Sequence, residues 1–332
     1  MMSIRHAVMA ALCLLVLSAV PARADDPILI RFSHVVGEQT PKGIGARLFK
    51  ERAEKRLPGR VRVEVQPRSQ RFTDDEVLLA LLFGDVELAA PSLAKFRAYS
   101  RPMQVFDLPF LFNDVEHVQR FQASPAGRKL LDSMLPRGIK GLAYWDNGMR
   151  AVSANRPLRV PADASGLVFR IEPSSVFREQ WSTVGVVGIP MPFSRVTDAI
   201  REGLVEGQEN AWSNIYSRKI HTLHKNFTEL GHSFLGYMVV TSAEFWDGLP
   251  ADVRPVLEEV LAEVTDEVNR LAREKAVGDR ERAKSEGNIQ IIVPSSAERQ
   301  QWIDTMKPVW KRFEAQIGKD VIDAAVAAGQ GS

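Results

Sequence analysis

Two arginines in this sequence stand where strand patterns predict burial. Arg170 lies in the segment GLVFRIEP (166–173), where it alternates with Val168 and therefore shares its strand face. Arg150 ends the segment YWDNGMR (144–150), beside aromatic residues. A buried guanidinium is unfavourable unless it is paired or faces a cleft, and its fork of N–H donors matches a carboxylate. The residues alone leave two alternatives open, a structural ion pair and a site for an anionic ligand.

A third cation stands at a predicted helix start. In Thr40-Pro41-Lys42 the threonine is a good N-cap and proline favours the first helical position. Free backbone amides at a helix N-terminus attract anions, and Lys42 adds a positive charge there. This segment therefore favours an anion as well.

Other residue patterns do not make a catalytic or metal site. His221 and His224 are three residues apart but lack a glutamate partner, so we interpret them as a solvated helix face rather than metal ligands. The segment GHSFL (231–235), with His232 and Ser233, resembles a nucleophile elbow but lacks glycine at the fifth position. Gly43-Ile-Gly45 lacks the third glycine of a dinucleotide fingerprint. The sequence therefore predicts no enzyme activity, no metal and no cofactor.

The first 24 residues have the composition of a secretory signal peptide. Arg5 precedes an apolar run over residues 7–20, and Ala22-Arg23-Ala24 offers small residues for cleavage after Ala24. Cleavage removes two of the 43 basic residues, none of the 41 acidic residues and the only cysteine, Cys13. A mature chain without net charge argues against nucleic-acid binding, because the phosphates of nucleic acids require a basic surface. A mature chain without cysteine forms no disulfides. We expect an exported, periplasmic protein.

Strand and helix patterns alternate from residue 28 onwards, which predicts an α/β fold. A strand, a helix and a strand at 28–33, 43–57 and 61–65 form one βαβ unit with parallel strands. A second α/β set starts at 166–171. Apolar residues at helical spacing predict a long helix over 253–271 and a last helix over 302–313. Because no linker separates the two sets, we expect two lobes joined by crossing strands, with a cleft between them.

Several long segments occur in a fixed order and carry a family resemblance. They are FSHVVGEQTPKG (32–43), SQ (69–70), QVFDLPFLF (104–112), GIKGLAYWDNG (138–148), FR (169–170), MPFS (191–194), EGQEN (206–210), WSNIY (212–216) and FWDGLP (245–250). From about residue 28 to 325 the chain resembles the DctP-type solute-binding proteins of TRAP (tripartite ATP-independent periplasmic) transporters.

The resemblance implies a two-lobed α/β binding protein of the Venus-flytrap type that closes on an organic acid. It places lobe I at 25–149, lobe II at 150–236, and a return strand with long helices packing across both lobes at 237–328. Arg170 matches the arginine that pairs with the ligand carboxylate, and Arg150 matches a second basic position. Asn210 matches an asparagine on the same carboxylate, and Phe193 an aromatic residue packing on the ligand. From the first lobe, the positions that reach into the cleft are His34, Lys42, Gln70 and Ser92.

The segments WSNIY and YWDNG most resemble the branch that binds C4-dicarboxylates such as malate, succinate and fumarate. The implied partners are this small organic acid and the small and large membrane subunits of a TRAP permease, which ion gradients drive. A sensor kinase is an alternative partner for the same pocket, and we expect a monomer. The chain departs from the family pattern at Met149, Phe169, Glu172 and Arg195-Val196-Thr197, which leaves the ligand open. The alternatives are another organic acid, a monocarboxylate or sugar acid, and a secreted α/β enzyme acting on an organic acid.

Overall fold

The structure, a computed structural model, describes residues 26–330. The predicted signal segment lies outside this range, so its cleavage after Ala24 stays a prediction. Across the described residues no helix combines the length and the apolar character needed to span a bilayer. The strands are β1 (Ile28–Ser33), β2 (Val61–Gln66), β3 (Leu88–Ala89), β4 (Ile139–Met149), β5 (Ala151–Ala154), β6 (Val168–Ile171), β7 (Val187–Pro190), β8 (Gly207–Asn210), β9 (Asn226–Thr228), β10 (Phe234–Ser242) and β11 (Gln290–Ile292).

Helices connect most of these strands, as alternating patterns predict. They are α1 (Pro41–Arg56), α2 (Val77–Leu82), α3 (Val115–Ala123), α4 (Pro125–Asp132), α5 (Pro161–Ala164), α6 (Ser175–Thr183), α7 (Val196–Arg201), α8 (Trp212–Ser217), α9 (Ala243–Asp247), α10 (Arg254–Gly287), α11 (Ser296–Met306), α12 (Val309–Ile317) and α13 (Lys319–Ala328). Short 3-10 helices cover Leu93–Ala98, Arg101–Asp107, Leu135–Arg137, Phe193–Arg195 and Ile220–Thr222.

The first sheet has the strand order β2-β1-β3-β10-β4. Strand β1 is parallel to β2 and β3, so the predicted βαβ unit is confirmed. Strand β10 is antiparallel to both β3 and β4. Strands β1, β3 and β4 therefore end at the same edge of this sheet.

The second sheet has the strand order β11-β9-β5-β8-β6-β7. Strand β6 is parallel to β7 and β8, whereas β5 is antiparallel to β8 and β9. The ends of β6, β7 and β8 and the start of β5 consequently meet at one edge. Strand β8 has no apolar period that would predict a strand, because its residues Gly-Gln-Glu-Asn are not apolar, yet all four are buried between two strands.

The chain crosses between the sheets at two adjacent points. Strand β4 ends at Met149 in the first sheet and β5 begins at Ala151 in the second, so Arg150 is the crossing residue. The return runs from β9 to β10, which begins at Phe234 rather than at the predicted residue 237. The backbone N–H of Arg150 donates to the carbonyl of Ser233 at 2.9 Å, which holds the two crossings side by side.

Helix α10 is 34 residues long and packs on both halves of the molecule. It contacts α1 and β4 on one side and α8 on the other. Its buried stripe includes Leu257, Val260, Leu261, Val264 and Val268, which confirms the predicted helical spacing. At about 1.5 Å per residue the helix is about 50 Å long, enough to run behind both sheets.

The predicted last helix over 302–313 is wrong in one respect. The structure has two helices there, α11 and α12, because the chain breaks at Lys307-Pro308. Proline lacks the N–H that a continuous helix would use at this position. Trp302 and Met306 pack with the second sheet, while Phe313 packs with the first, so the break lets the chain cross once more.

The interpretation of His221 and His224 as a solvated helix face is also wrong. Both side chains are buried, and Nδ1 of His224 lies 2.9 Å from Oγ of Ser153 in β5. Burial lowers the pKa of both imidazoles, that of His224 to about 4. They are neutral core residues because a charged imidazole would lose its hydration there.

Candidate functional site

The edge of the second sheet gathers three of the predicted residues. In the β5–β8 ladder Ala151 faces Asn210, and in the β6–β8 ladder Arg170 faces Gln208. Arg150, immediately before β5, therefore lies at the edge where β6 and β8 end. Ligands of α/β sheets bind outside the carboxyl ends of strands, so this edge is a natural place for a ligand.

Arg170 is buried, with 1% of its surface exposed, and one of its donors is free. Its Nε and Nη2 donate to the carbonyl of Met191 at 3.1 and 2.9 Å. Nη1 has no hydrogen-bond partner among the described residues, and the guanidinium lies 6.0 Å from the ring centre of Phe193. Burial lowers the pKa of Arg170, but a guanidinium stays protonated in proteins. A buried cation with an unpaired N–H can donate a hydrogen bond to an anion, so Arg170 is a candidate anion-binding residue.

Asn210 presents a second free donor beside it. Its Oδ1 accepts from the backbone N–H of Ala211 at 3.1 Å and from Nδ2 of Asn214 at 2.9 Å. These two donors fix the orientation of the amide, which leaves Nδ2 without a partner in the described structure. The amide N–H therefore remains available to a ligand oxygen.

Arg150 is also buried, and although its Nη1 makes no hydrogen bond with the described residues, its charge is paired. Its Nη2 lies 3.2 Å from Oε2 of Glu172, and its Nη1 lies 4.0 Å from Oε1 of Glu209. The guanidinium also stacks 4.8 Å from the ring centre of Phe177. Although burial disfavours the charge, the two glutamates raise the pKa of Arg150. Of the two alternatives that the sequence leaves open for Arg150, a structural ion pair and a site for an anionic ligand, the structure shows the ion pair.

Lys42, in the first lobe, has no carboxylate partner within 4.0 Å among the described residues. The side chain is fully buried at the start of α1, where Nζ donates to the carbonyl of Ala90 at 2.7 Å. The ammonium also lies 3.7 Å from the ring centre of Tyr237. Burial lowers the pKa of Lys42 to about 8. An anion bound here would favour the charged lysine.

Of the remaining predicted residues of the first lobe, two are buried and one is exposed. His34 is buried directly after β1, both ring nitrogens lack hydrogen-bond partners, and burial lowers its pKa to about 3, so it is neutral. Ser92 follows β3, and its hydroxyl donates to Glu172 at 2.8 Å. Gln70 is exposed, and its neighbour Ser69 lines the inner cavity instead. The structure therefore does not bring Gln70 to the other predicted residues.

A narrow cavity joins the two lobes, and sequence reasoning missed part of its lining. It is lined by Val35, Ser69, Thr73, Asp74, Asp75, Lys95, Arg170, Glu172, Pro192 and Phe193. Three of these residues are acidic: Asp75 pairs with Lys95, and burial raises the pKa of Asp74. Glu172 differs from both because it interacts with the two arginines: although burial disfavours its charge, Arg150 and Arg170 lower its pKa to about 2. Its position two residues after Arg170, just past a strand end, is a signal from which it could have been predicted.

Hydrogen bonds hold the lobes together across the cleft. Besides the bond from Ser92 to Glu172, Ser174 donates to Asp107 at 2.7 Å and Ser175 donates to Gln104 at 2.9 Å. Each bond joins the second sheet's α6 region to a 3-10 segment of the first lobe. We call this arrangement, in which the two lobes are hydrogen-bonded to each other beside the cavity, the closed arrangement.

The residues of the failed nucleophile motif do not form a catalytic pair. Nε2 of His232 lies 2.5 Å from Oε2 of Glu209, and the same oxygen accepts from the indole N–H of Trp181 at 3.1 Å. Oγ of Ser233 has no hydrogen-bond partner in the described part of the chain, so His232 does not activate it. A general base must reach the proton that it removes, and this histidine faces a carboxylate instead.

A wider groove outside the cleft has different chemistry. It runs along α10 and is lined by residues such as Leu261, Thr265 and Asn269. Arg270 at its rim is half exposed and pairs with Glu267 at 2.7 Å and with Glu274. Surface pairs of this kind are solvated. The buried unpaired donor among the groove's described lining residues, Nε2 of Gln122, belongs to a neutral amide, so the groove offers no buried cation comparable to Arg170.

Comparison with known proteins agrees with this architecture. The model of the DctP family, described as bacterial extracellular solute-binding protein, family 7, matches residues 32–316. A C4-dicarboxylate-binding periplasmic protein DctP from Shewanella loihica is 46% identical over 92% of this chain and 90% of its own length.

Two solved structures are similar over nearly the whole described chain. A TRAP periplasmic solute-binding protein from Shewanella oneidensis, with bound succinate, has a TM-score of 0.90 and 50% identity, covering 91% of this chain and 99% of that one. Its counterpart from Pseudomonas aeruginosa, with bound L-malate, has a TM-score of 0.84 and 45% identity, covering 86% and 100%. The predicted two-lobed α/β fold is thereby confirmed, as is the prediction of a binding protein rather than an enzyme. The chain belongs to the DctP family of bacterial extracellular solute-binding proteins.

Proposed function

We propose that this protein is the extracytoplasmic solute-binding subunit of a TRAP transporter and captures a C4-dicarboxylate in the cleft between its lobes. The observation that carries the proposal is the pair of buried free donors, Nη1 of Arg170 and Nδ2 of Asn210, at one sheet edge. Buried polar groups are almost always paired, so unpaired donors at a cleft call for an acceptor from a ligand. The succinate and L-malate bound by the two similar structures support this ligand class.

The first carboxylate of the ligand binds Arg170 and Asn210. The carbonyl of Met191 holds two N–H groups of the guanidinium and leaves Nη1 to donate to the ligand. Because the arginine is fixed before the ligand arrives, little side-chain entropy is lost on binding. Phe193, half-buried beside it, packs against the carbon chain of the acid.

The second carboxylate binds Lys42 from the other lobe. Two ligand charges need two cations, and the charge of Arg150 is already balanced by Glu172 and Glu209. Lys42 makes no ion pair with the described residues and is buried, so its charge gains most from an anionic partner. A dianion that contacts both lobes stabilises the closed arrangement.

The cellular role follows from the family and from the N-terminal signal. The protein binds its ligand in the periplasm after cleavage behind Ala24 and delivers it to the small and large membrane subunits of the permease. The names of the similar proteins, which place them in the periplasm and in TRAP systems, support this role.

Thermal-shift and calorimetric titration of the purified protein tests the proposal. The panel contains succinate, L-malate and fumarate, with lactate, galactonate and L-glutamate as comparisons. A ligand at a hundred times its dissociation constant adds about 2.7 kcal/mol of stability, which gives a clear shift. We expect the dicarboxylates to bind and to be recovered unaltered by NMR. A response only to monocarboxylates or sugar acids would contradict the dicarboxylate and indicate that the protein binds another organic acid. Consumption of any acid would favour the enzyme alternative.

A further inference from the structure

Glu172 presents an unused acceptor to the cavity that holds Arg170. Both of its side-chain contacts end on one oxygen, since Oε2 accepts from Oγ of Ser92 at 2.8 Å and from Nη2 of Arg150 at 3.2 Å. The other oxygen, Oε1, accepts no hydrogen bond from the described residues. The residue is 7% exposed and lines the same cavity as Arg170 and Phe193.

The charges around the cavity leave Glu172 facing the ligand. Arg170 and Lys42 have no carboxylate within 4.0 Å in the described structure, and a dicarboxylate would balance both. Of the other acidic residues that line the cavity, Asp75 pairs with Lys95 at 2.9 Å, and Asp74 accepts from the backbone N–H of Ser92 at 3.2 Å. An anion in a site for a dianion repels it unless the ligand offers a hydrogen-bond donor between them. Glu172 is therefore unfavourable for a plain diacid and favourable for a substituted one.

We propose that Glu172 is a specificity-determining residue that selects acids carrying a donor group, a hydroxyl or an ammonium, on the carbon next to the carboxylate held by Arg170. This inference rests on the proposed function, because it assumes that a carboxylate binds Nη1 of Arg170. The substituent on the adjacent carbon then enters the cavity that Arg170 and Glu172 both line, and the oxygen of Glu172 without a hydrogen bond, Oε1, is the acceptor that we assign to it. Donation to a charged acceptor is stronger than donation to a neutral one, so the preference is large.

The test compares affinities of L-malate, L-aspartate and succinate by calorimetry on the purified protein. These acids share the four-carbon chain and differ at one carbon, where they carry a hydroxyl, an ammonium or hydrogen. We expect the wild-type protein to bind L-malate or L-aspartate at least tenfold more tightly than succinate. The tighter of the two identifies the donor.

The variant Glu172→Gln isolates the acceptor. Its amide oxygen can keep the bonds from Ser92 and Arg150, while its NH2 group replaces the acceptor Oε1 by a donor. We expect the preference over succinate to fall below threefold and succinate itself to bind at least as tightly as before. The matched control is Glu206→Gln, because Glu206 accepts from the backbone N–H of Val168 at the opposite end of β6 and is exposed. This control keeps the wild-type preference.

The outcomes separate this inference from the proposed function. Equal wild-type affinities for succinate and the substituted acids would overturn the inference and leave dicarboxylate binding intact. A preference that survives in Glu172→Gln would overturn it as well, and binding of succinate by this variant shows that it is folded. Failure of the wild-type protein to bind any of the three acids would instead contradict the proposed function.

Discussion

Arg170 illustrates how one side chain can be prepared for a ligand by its neighbours. The carbonyl of Met191 takes two of its N–H groups, so the guanidinium cannot swing away from the cleft. A lysine at this position would have a single nitrogen to serve both the carbonyl and the ligand. The geometry therefore demands arginine and not merely a positive charge.

The change Arg170→Ala tests this role directly. It leaves one ligand carboxylate without its buried partner, so we expect affinity for the dicarboxylate to fall by roughly 3 kcal/mol, about a hundredfold. In Arg170→Lys we expect affinity to fall at least tenfold, because a lysine has a single nitrogen and cannot replace both the N–H groups on Met191 and the separate N–H for the ligand. Calorimetry measures both, with Arg201→Ala, an exposed arginine of α7 paired with Asp198, as the control. Unchanged affinity in Arg170→Ala would contradict the assignment of Arg170 to the binding site.

Lys42 should make binding depend on pH. Its pKa is lowered to about 8 by burial, and a bound carboxylate raises it again. Below pH 8 the lysine is charged with or without ligand, so affinity is constant. Above pH 8 the free protein must take up a proton to bind, so affinity falls by up to about tenfold per pH unit.

Titrations between pH 6.5 and 9.5 check this dependence. Four other titratable groups interact with Lys42. Glu172 titrates near pH 2 and His34 near pH 3, and burial raises the pKa of Tyr237 well above this window. Burial also raises the pKa of Asp74, so the variant Lys42→Met, which keeps Asp74, separates the lysine from this carboxylate. In Lys42→Met we expect affinity to be at least tenfold weaker and flat over the same range. A wild-type profile that rises with pH would contradict the assignment.

Residue types predicted the site only in part. A buried arginine on a strand pointed to Arg170, but the same reasoning could not distinguish it from Arg150, because the ion partner Glu172 is adjacent only after folding. Asn210 and Phe193 came from the family resemblance alone, since neither amide nor ring is unusual by itself. Their roles, like that of Ser92, stay predictions. Gln70 was also predicted from the family resemblance, through the segment SQ (69–70), yet its side chain is exposed to solvent.

Strand β8 ends at the sheet edge where Arg150, Arg170 and Asn210 lie, and its position between β5 and β6 depends on Gly207. A Cβ at Gly207 would lie 2.1 Å from the ring of Phe169 on the neighbouring strand. That ring is fully buried and packs against Trp181 at a centroid distance of 4.8 Å, so it has no room to move. The absence of a side chain at Gly207 thus lets β8 lie between β5 and β6.

Gly207→Ala should destabilise the fold through this contact. We expect the free energy of unfolding to fall by about 2 kcal/mol or more, as overpacking of a core does. The matched control is Gly278→Ala in α10, where a Cβ meets nothing within 4 Å. Alanine is the better helix former, so the control should gain roughly 0.5–1 kcal/mol. Urea unfolding followed by circular dichroism measures both; equal effects would refute the packing argument.

Elements with a clear apolar period were predictable and the others were not. The stripe of α10 and the alternation of β2 predict their elements well, because one face of each meets the core. Strand β8 has no apolar residue, and its burial comes from partners that are distant in sequence. The break at Pro308 was predictable from the missing N–H of proline, but the regular spacing of Trp302 and Phe313 across it suggested one helix.

At the scale of the molecule, the crossings restrict how the lobes can move. Strands cross at Arg150 and at residues 229–233, and α10 packs on both halves. A rigid helix behind the sheets allows a hinge at the strand crossings and opposes sliding. The closed arrangement is held by serine hydrogen bonds across the cleft, which any opening must break.

Ligand binding should therefore make the protein more compact. We expect the radius of gyration from small-angle X-ray scattering to decrease when a saturating dicarboxylate is added, because the ligand stabilises the closed arrangement. Arg170→Ala at the same ligand concentration should show no decrease. An unchanged radius in the wild-type protein, with binding confirmed by calorimetry, would mean that the lobes do not open.

Two cleft residues share a position that affects how this protein can change over evolution. His34 and Glu172 each stand directly after a strand, where no ladder hydrogen bond needs their side chains. Substitution there alters the chemistry of the cleft while the sheets keep their pairing. A lineage can therefore exchange one nutrient for another through single codon changes, and a biosensor designer can use the same positions without rebuilding the scaffold.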